Sequence, residues 1–200
     1  MAPSVDANAL REKYLFERDK RLRPDGNNQY LEPTGRFENL LDDPYTAVVP
    51  REPIHDDVNV LVIGAGFAGL VIGARLKQAG IDDVRLIDKA GDVGGVWYWN
   101  RYPGAMCDTA AMIYLPLLEE TGNKPSAKYV AAPEIHAHAK KIATTFDLYD
   151  NALLSTGIES MEWDPTASRW IVRTDRGDVL RARYVTMGTG PLHRPKLPGI

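Results

Sequence analysis

The stretch VNVLVIGAGFAGLVIGARLKQAGIDDVRLIDK, Val58 to Lys89, reads as strand, glycine turn, helix and strand. Val60 to Ile63 form an unbroken apolar run, as expected for a strand covered on both faces in a parallel sheet. Gly64, Gly66 and Gly69 follow as G-x-G-x-x-G, and Ala68 to Ala79 continue with helical composition. In this motif Gly64 allows the tight turn, Gly66 lets the backbone approach a pyrophosphate, and Gly69 lets helix and strand pack closely. Phe67 and Ala68 fall where the first helical N–H groups point at the turn, which places a diphosphate on a helix N-terminus. The second strand, Val84 to Ile87, ends at Asp88, followed by Lys89. An acid about 20 residues beyond the glycines can accept hydrogen bonds from a ribose hydroxyl and repels a 2′-phosphate, which suits FAD or NAD better than NADP. The blander reading of the same glycines is a tight strand-to-helix turn with no ligand.

Composition narrows the field around this core. The chain has 200 residues, 44% hydrophobic and 26% charged, with a net charge of −3. These values describe an ordinary globular protein, with no global basic field to argue for a nucleic-acid partner. No apolar run approaches the roughly 18 residues of a membrane span, and MAPSVDANALREK lacks the pattern of a signal peptide, so the expectation is a cytoplasmic protein with no membrane partner. The single cysteine, Cys107, excludes an intrachain disulfide and makes a cysteine metal site improbable, so no metal is expected.

Upstream, Ala7 to Arg23 has apolar residues near helical spacing, and Pro24-Asp25-Gly26 ends it. Its basic residues alternate with acids and read as a solvated face. Residues 27–57 are proline-rich and read as an irregular arm, so residues 1–57 form an N-terminal arm and the domain proper starts at Val58. Downstream, Pro133 to Phe146 is a helix with Pro133 in its first turn; His136 and His138, two residues apart on it, point different ways. Ala152–Met161, Arg169–Thr174 and Val179–Thr186 alternate as strands of an antiparallel meander inserted between parallel strands. The last of them runs into Met187-Gly188-Thr189-Gly190, a small-residue turn able to approach a dinucleotide. The domain is thus bounded at 58–190, and the proline-rich tail 191–200 reads as a linker.

Between these parts lies GDVGGVWYWNRYPGAMCDTAAMIYLPL, Gly91 to Leu117. Gly94-Gly95 permits close backbone approach, and Trp97, Tyr98, Trp99 and Tyr102 offer flat surfaces for a planar ligand, with core packing as the alternative. Asp108, in an apolar loop, can orient a cation or cap a helix beginning near Thr109.

These residues resemble the flavin-dependent Baeyer–Villiger monooxygenases. The resemblance rests on VLVIGAGFAGL at 60–70, IDKAGDVGGVWYWNRYPGAMCD at 87–108, KYVAAPEI at 128–135, RWIVRTDRG at 169–177 and ARYVTMGTGPLHRPKLPGI at 182–200. The run GGVWYWNRYPGAMCD is far more specific than the glycine fingerprint. The arm KYLFERDKRLRPDGNNQY is similar to an extension found in members that act on bulky or macrocyclic ketones.

The resemblance implies an α/β, Rossmann-like FAD-binding domain with a central parallel sheet, an inserted antiparallel β-meander and an N-terminal helical arm. It implies oxidation of a ketone to an ester or lactone with O₂, FAD and NADPH. In the family's pattern Gly95, Val96 and Trp97 belong to a G-x-W flavin contact, Tyr114 to the following helix and Ile158 to an adenine-side contact. Trp99, Tyr102, Gly188 and Thr189 complete the expected cofactor surface. Asp108 falls where the family's aspartate positions an arginine and the nicotinamide. Asp88 departs from the family's more common Glu by one methylene. The family's FxGxxxHxxxW fingerprint is not among these 200 residues. The isolated chain is therefore expected to be an inactive N-terminal part that holds FAD weakly, with an NADPH domain packing on it as partner. Two other readings stay open: a flavin monooxygenase that oxygenates nitrogen or sulfur, and a non-catalytic dinucleotide-binding module.

Overall fold

In the computed structural model, residues 6–192 and 194–199 are described; His193 and Ile200, within the expected linker, lie outside them. In chain order the regular elements are α1 (Ala7–Asp19), β1 (Tyr30–Leu31), β2 (His55–Ile63), α2 (Phe67–Gln78), β3 (Val84–Ile87), α3 (Val96–Trp99), α4 (Ala111–Tyr114), α5 (Leu118–Thr121), α6 (Ala132–Thr145), β4 (Ile158–Asp164), β5 (Arg169–Thr174), β6 (Val179–Met187) and β7 (Leu197–Pro198). They divide into two compact units, one of residues up to 42 together with those from 194 on, the other beginning at Asp43.

In the larger unit a five-stranded sheet runs in the order β3-β2-β6-β5-β4. β2 pairs parallel with both β3 and β6, while β5 pairs antiparallel with β6 and β4. The meander therefore extends the central sheet edgewise, and β6 is at once its last strand and a member of the parallel core. The pleat of β2 explains its unbroken apolar sequence. Val60 and Val62 pack with Leu70 and Ala74 of α2 and Ala139 and Ile142 of α6, whereas Leu61 and Ile63 face Val172, Leu180 and Ala182 on the other side. α2 buries Gly69, Leu70, Gly73 and Ala74, the i, i+1, i+4, i+5 stripe of a helix lying on a sheet.

The expected start at Val58 comes too late for this unit. β2 begins at His55, and the preceding segment is pinned by a buried ion pair. Asp178, fully buried, receives two hydrogen bonds from Arg51, at 2.5 and 2.6 Å, with further donors in the Ile54 amide and the Thr174 hydroxyl. These bonds, Arg51 foremost, hold the Asp178 carboxyl far below the usual carboxylate range. A carboxylate–guanidinium pair 127 residues apart has no local signature, so composition alone placed the boundary by where hydrophobic periodicity begins.

The smaller unit carries α1, whose N-terminus is capped by Asp6 through the amides of Asn8 and Ala9. No residue of α1 is buried, and its charges pair locally, as in Arg18–Asp19 and Lys20–Glu17. The helix stops at Asp19, before the expected Arg23. β1 and β7 pair antiparallel, Tyr30 opposite Pro198 and Leu31 opposite Leu197, and Lys196 forms an ion pair with Glu32. Part of the presumed irregular arm and part of the presumed linker are therefore partners in a short ladder.

Candidate functional site

Three glycine-bearing turns converge at the C-terminal ends of β2, β3 and β6. Gly64 has φ +97°, and a β-carbon there would lie 2.5 Å from the Gly188 carbonyl oxygen. One on Gly69 would lie 1.8 Å from the Gly64 oxygen, so strand end and helix start are in backbone contact. Gly66 faces the 94–95 turn: a β-carbon on Gly95, at φ +57°, would meet the Gly66 α-carbon at 2.9 Å. Two hydrogen bonds tie the turns together, Gly188 N to Ile63 O at 2.7 Å and Gly94 N to Ala65 O at 2.9 Å.

α2 starts at Phe67 directly after Gly66, and no side chain caps it. Its first amides, those of Phe67 and Ala68, are among those a helix leaves without an internal partner. Together with the helix dipole they favour an anion at this point. Ala68 is exposed, while Phe67 is half-buried with its ring edge-on to Tyr114 and His138.

Asp88 sits at the next strand end with its carboxylate engaged by backbone: Ala65 N donates to Oδ2 at 2.7 Å and Ala90 N to Oδ1 at 2.9 Å. Asp88 thereby braces the glycine turn, a role the motif did not predict. Lys89 is exposed, with its ammonium 5.3 Å from the Trp99 ring centre.

The aromatic stretch divides by role. Trp97 donates its indole N–H to the Tyr114 hydroxyl at 2.7 Å, and the two rings meet edge to face. Burial pushes the Tyr114 hydroxyl above its usual pKa. Val96 and Trp99 are half-buried, whereas Tyr102 is exposed. Tyr98 offers no flat surface to a ligand, because it is fully buried. Its hydroxyl donates to Asp43 Oδ2 at 2.5 Å and lies 2.7 Å from Thr46 Oγ1, and burial foremost, then Asp43, raises its pKa to about 12. For Asp43 burial works upward, but hydrogen bonds from Tyr98 and the amides of Tyr45, Gly91 and Thr46 outweigh it and lower the pKa.

Asp108 is exposed, and among the described residues its carboxylate has no hydrogen bond or ion pair. The expected enclosure in an apolar loop is not met, and neither is the capping role: α4 begins at Ala111 with Ala110 as its N-cap. The neighbouring Cys107 is buried, because alternate residues of this segment point inward. Gly188 belongs to the cluster of turns, while Thr189 is exposed at its rim. Ile158 is half-buried and packs with the second core cluster, which also holds Ile63 and Ile87.

Two residues of α6, His136 and Lys140, support this site in roles that the sequence did not suggest. His136 Nε2 lies 3.0 Å from the Val93 carbonyl, and Lys140, one turn on, pairs with Asp92 at 2.7 Å. Asp92 also accepts from the Tyr149 hydroxyl and the Val93 amide. The two histidines have separate jobs, since His138 Nε2 bonds the Pro116 carbonyl at 2.6 Å.

A nucleotide-binding Rossmann-like domain is the class that this sheet and its glycine turns define. The family described as NAD(P)-binding Rossmann-like domain matches residues 62–126. The chain is 54% identical over 197 residues to neopentalenolactone D synthase of Streptomyces avermitilis, covering 98% of this chain and 33% of that one. It is 52% identical over 192 residues to a Baeyer–Villiger monooxygenase of Streptomyces coelicolor, covering 96% and 32%. Among solved structures, the polycyclic ketone monooxygenase of Thermothelomyces thermophila superposes with a TM-score of 0.87 at 37% identity, over 96% of this chain and 34% of that one. Over nearly all of its length the chain is similar to Baeyer–Villiger monooxygenases, and it spans about a third of the length of the relatives it matches. Among the described residues, no helix is long and apolar enough to cross a membrane.

Proposed function

We propose that this chain is the FAD-binding part of an enzyme that oxidises a ketone to an ester or lactone with O₂ and NADPH. The observation that carries the reading is the convergence of Gly64–Gly69, Gly94–Gly95 and Gly188 beside the Trp97–Tyr114 pair. Side-chain-free backbone on three turns fits a diphosphate, and an aromatic pair next to it fits a planar ring system. FAD, when bound, would supply the redox chemistry and the reaction with O₂, and NADPH the electrons.

The residues here would bind and orient. The Phe67 and Ala68 amides would receive the diphosphate, and the Asp88 carboxylate, at the end of the next strand, would face the ribose. Gly95 to Trp97, with Tyr114, would border the ring system, with Trp99, Tyr102, Lys89, Ile158 and Thr189 at its margins. Asp108 is the residue we assign to catalysis: an exposed carboxylate with no partner among the described residues is available to orient a cation brought by the rest of the enzyme. A bulky cyclic ketone is the favoured substrate class, because the match to a polycyclic ketone monooxygenase extends over nearly all of this chain.

The test joins this sequence to the remaining two thirds of that monooxygenase. The chimera is expected to take up FAD and to convert a polycyclic ketone to its lactone, with NADPH and O₂ consumed in step. Oxygenation of amines or thioethers with no ester or lactone from any ketone would overturn the reading in favour of heteroatom chemistry. Retention of NAD but not FAD would favour a dinucleotide-binding module.

A further inference from the structure

Beside α3 and the first half of α6 lies a cleft of about 380 Å³ whose lining includes none of the turn glycines. Trp97 and Tyr102 supply its aromatic surface, Ala137 an apolar one, and Arg101, His136 and Lys140 its cationic or potentially cationic groups. No acidic residue lines it. In a chain that carries three more acids than bases, a cleft with that bias is not explained by overall composition.

The arrangement of Arg101 is the central point. Its Nε donates to the Tyr98 carbonyl at 2.9 Å, and its guanidinium lies 3.9 Å from the Tyr45 ring centre and 4.7 Å from that of Tyr98. Stacking and one hydrogen bond hold the head group in place, yet its two terminal nitrogens have no partner among the described residues. A guanidinium so oriented presents a fork of donors matched to a carboxylate. Lys140 adds positive charge, moderated by its pairing with Asp92 at 2.7 Å. The His136 ring is held by the Val93 carbonyl and lies edge-on to Tyr98, with ring centres 5.8 Å apart. Burial first, with the Lys140 and Arg101 charges adding to it and the Val93 carbonyl and Asp92 opposing it, lowers the His136 pKa. The exposed Tyr102 is a large aromatic surface left to solvent.

We propose that this cleft is a binding site for an aromatic carboxylate, its ring system against Trp97 and Tyr102 and its acid group on Arg101, with Lys140 supporting. Trp97 and Tyr102 also border the ring system in the flavin reading, so the cleft adjoins that site, but its test involves neither flavin nor turnover.

The experiment is calorimetric titration of the 200-residue chain with 2-naphthoate and with its neutral counterpart 2-naphthamide. Saturable one-to-one binding of the acid is expected, at least tenfold tighter than the amide. Arg101→Gln should weaken the acid at least tenfold, and Lys140→Gln by a few-fold. Arg101 also holds the Tyr98 carbonyl, so Tyr102→Ser, at an exposed position, provides a variant whose fold is not at stake. It should weaken acid and amide alike by several-fold with an unchanged melting temperature. In a nuclear magnetic resonance titration the indole N–H of Trp97 should shift, while those of Trp163 and Trp170 should not. Equal binding of acid and amide, no saturation at millimolar concentrations, or shifts confined to Gly64–Gly69 would each overturn the proposal.

Discussion

The turn region of Gly64 to Asp88 and the loop of Tyr102 to Tyr114 stand at opposite extremes of closure. In the first, backbone meets backbone so closely that Gly64 and Gly69 leave no space for a methyl group, and even the Asp88 carboxylate is tied to two amides. In the second, Tyr102, Met106, Asp108, Met112 and Ile113 are exposed. The glycine turn itself is local chain where strand, turn and helix meet, and Gly188 closes on it from the end of β6. The second region leaves four large apolar or aromatic side chains, Tyr102, Met106, Met112 and Ile113, open to solvent.

Gly69→Ala should produce the largest effect on the closed side. A β-carbon 1.8 Å from the Gly64 oxygen must force α2 away from β2, at about 3 kcal/mol or more. Thermal denaturation checks this, and a stable variant would show that the turn is less tight than it looks. Arg51→Met should cost about 3 kcal/mol, because it leaves Asp178 buried and charged without its main partner.

The same pair sets a pH dependence. The Asp178 pKa is depressed in the folded chain, so its contribution to stability is complete above the unfolded value of about 3.9. It declines as pH falls below that value toward the folded pKa. Urea midpoints measured from pH 6 down to pH 3 should fall more steeply for the parent than for Arg51→Met.

Tyr114→Phe should cost about 1 kcal/mol through loss of the 2.7 Å bond from Trp97, read as a small drop in melting temperature. The smallest change belongs to the open side: Asp108→Asn should alter stability by less than about 0.5 kcal/mol. In the chimera it should lower turnover substantially. A destabilised Asp108→Asn would mean that the loop is held by its carboxylate, and the contrast between the two regions would fail.

Legibility followed chain separation. The G-x-G-x-x-G turn, both flanking strands, α2 and α6 were readable to within a residue or two, except that β2 starts three residues before Val58. In each, hydrophobic period and glycine placement act over neighbouring residues. Tyr98 was not readable, because its partners Asp43 and Thr46 are 55 and 52 residues away. Nor were the props His136 and Lys140, on a helix whose apolar stripe says nothing of what its polar face touches. Asp108 was placed in the right loop with the wrong exposure, since composition cannot tell which of two adjacent residues, Cys107 or Asp108, turns inward.

By itself, then, the sequence determined the nucleotide-binding turn, the α/β order of elements and the resemblance to a monooxygenase family, all carried by short-range patterns. Tertiary structure alone decided where the larger unit begins, which aromatic residues face outward, and that Gly66, Gly95 and Gly188 belong to one cluster of turns. Those outcomes depend on contacts between residues far apart in the chain, and such contacts form only once the sheet has brought its strand ends together.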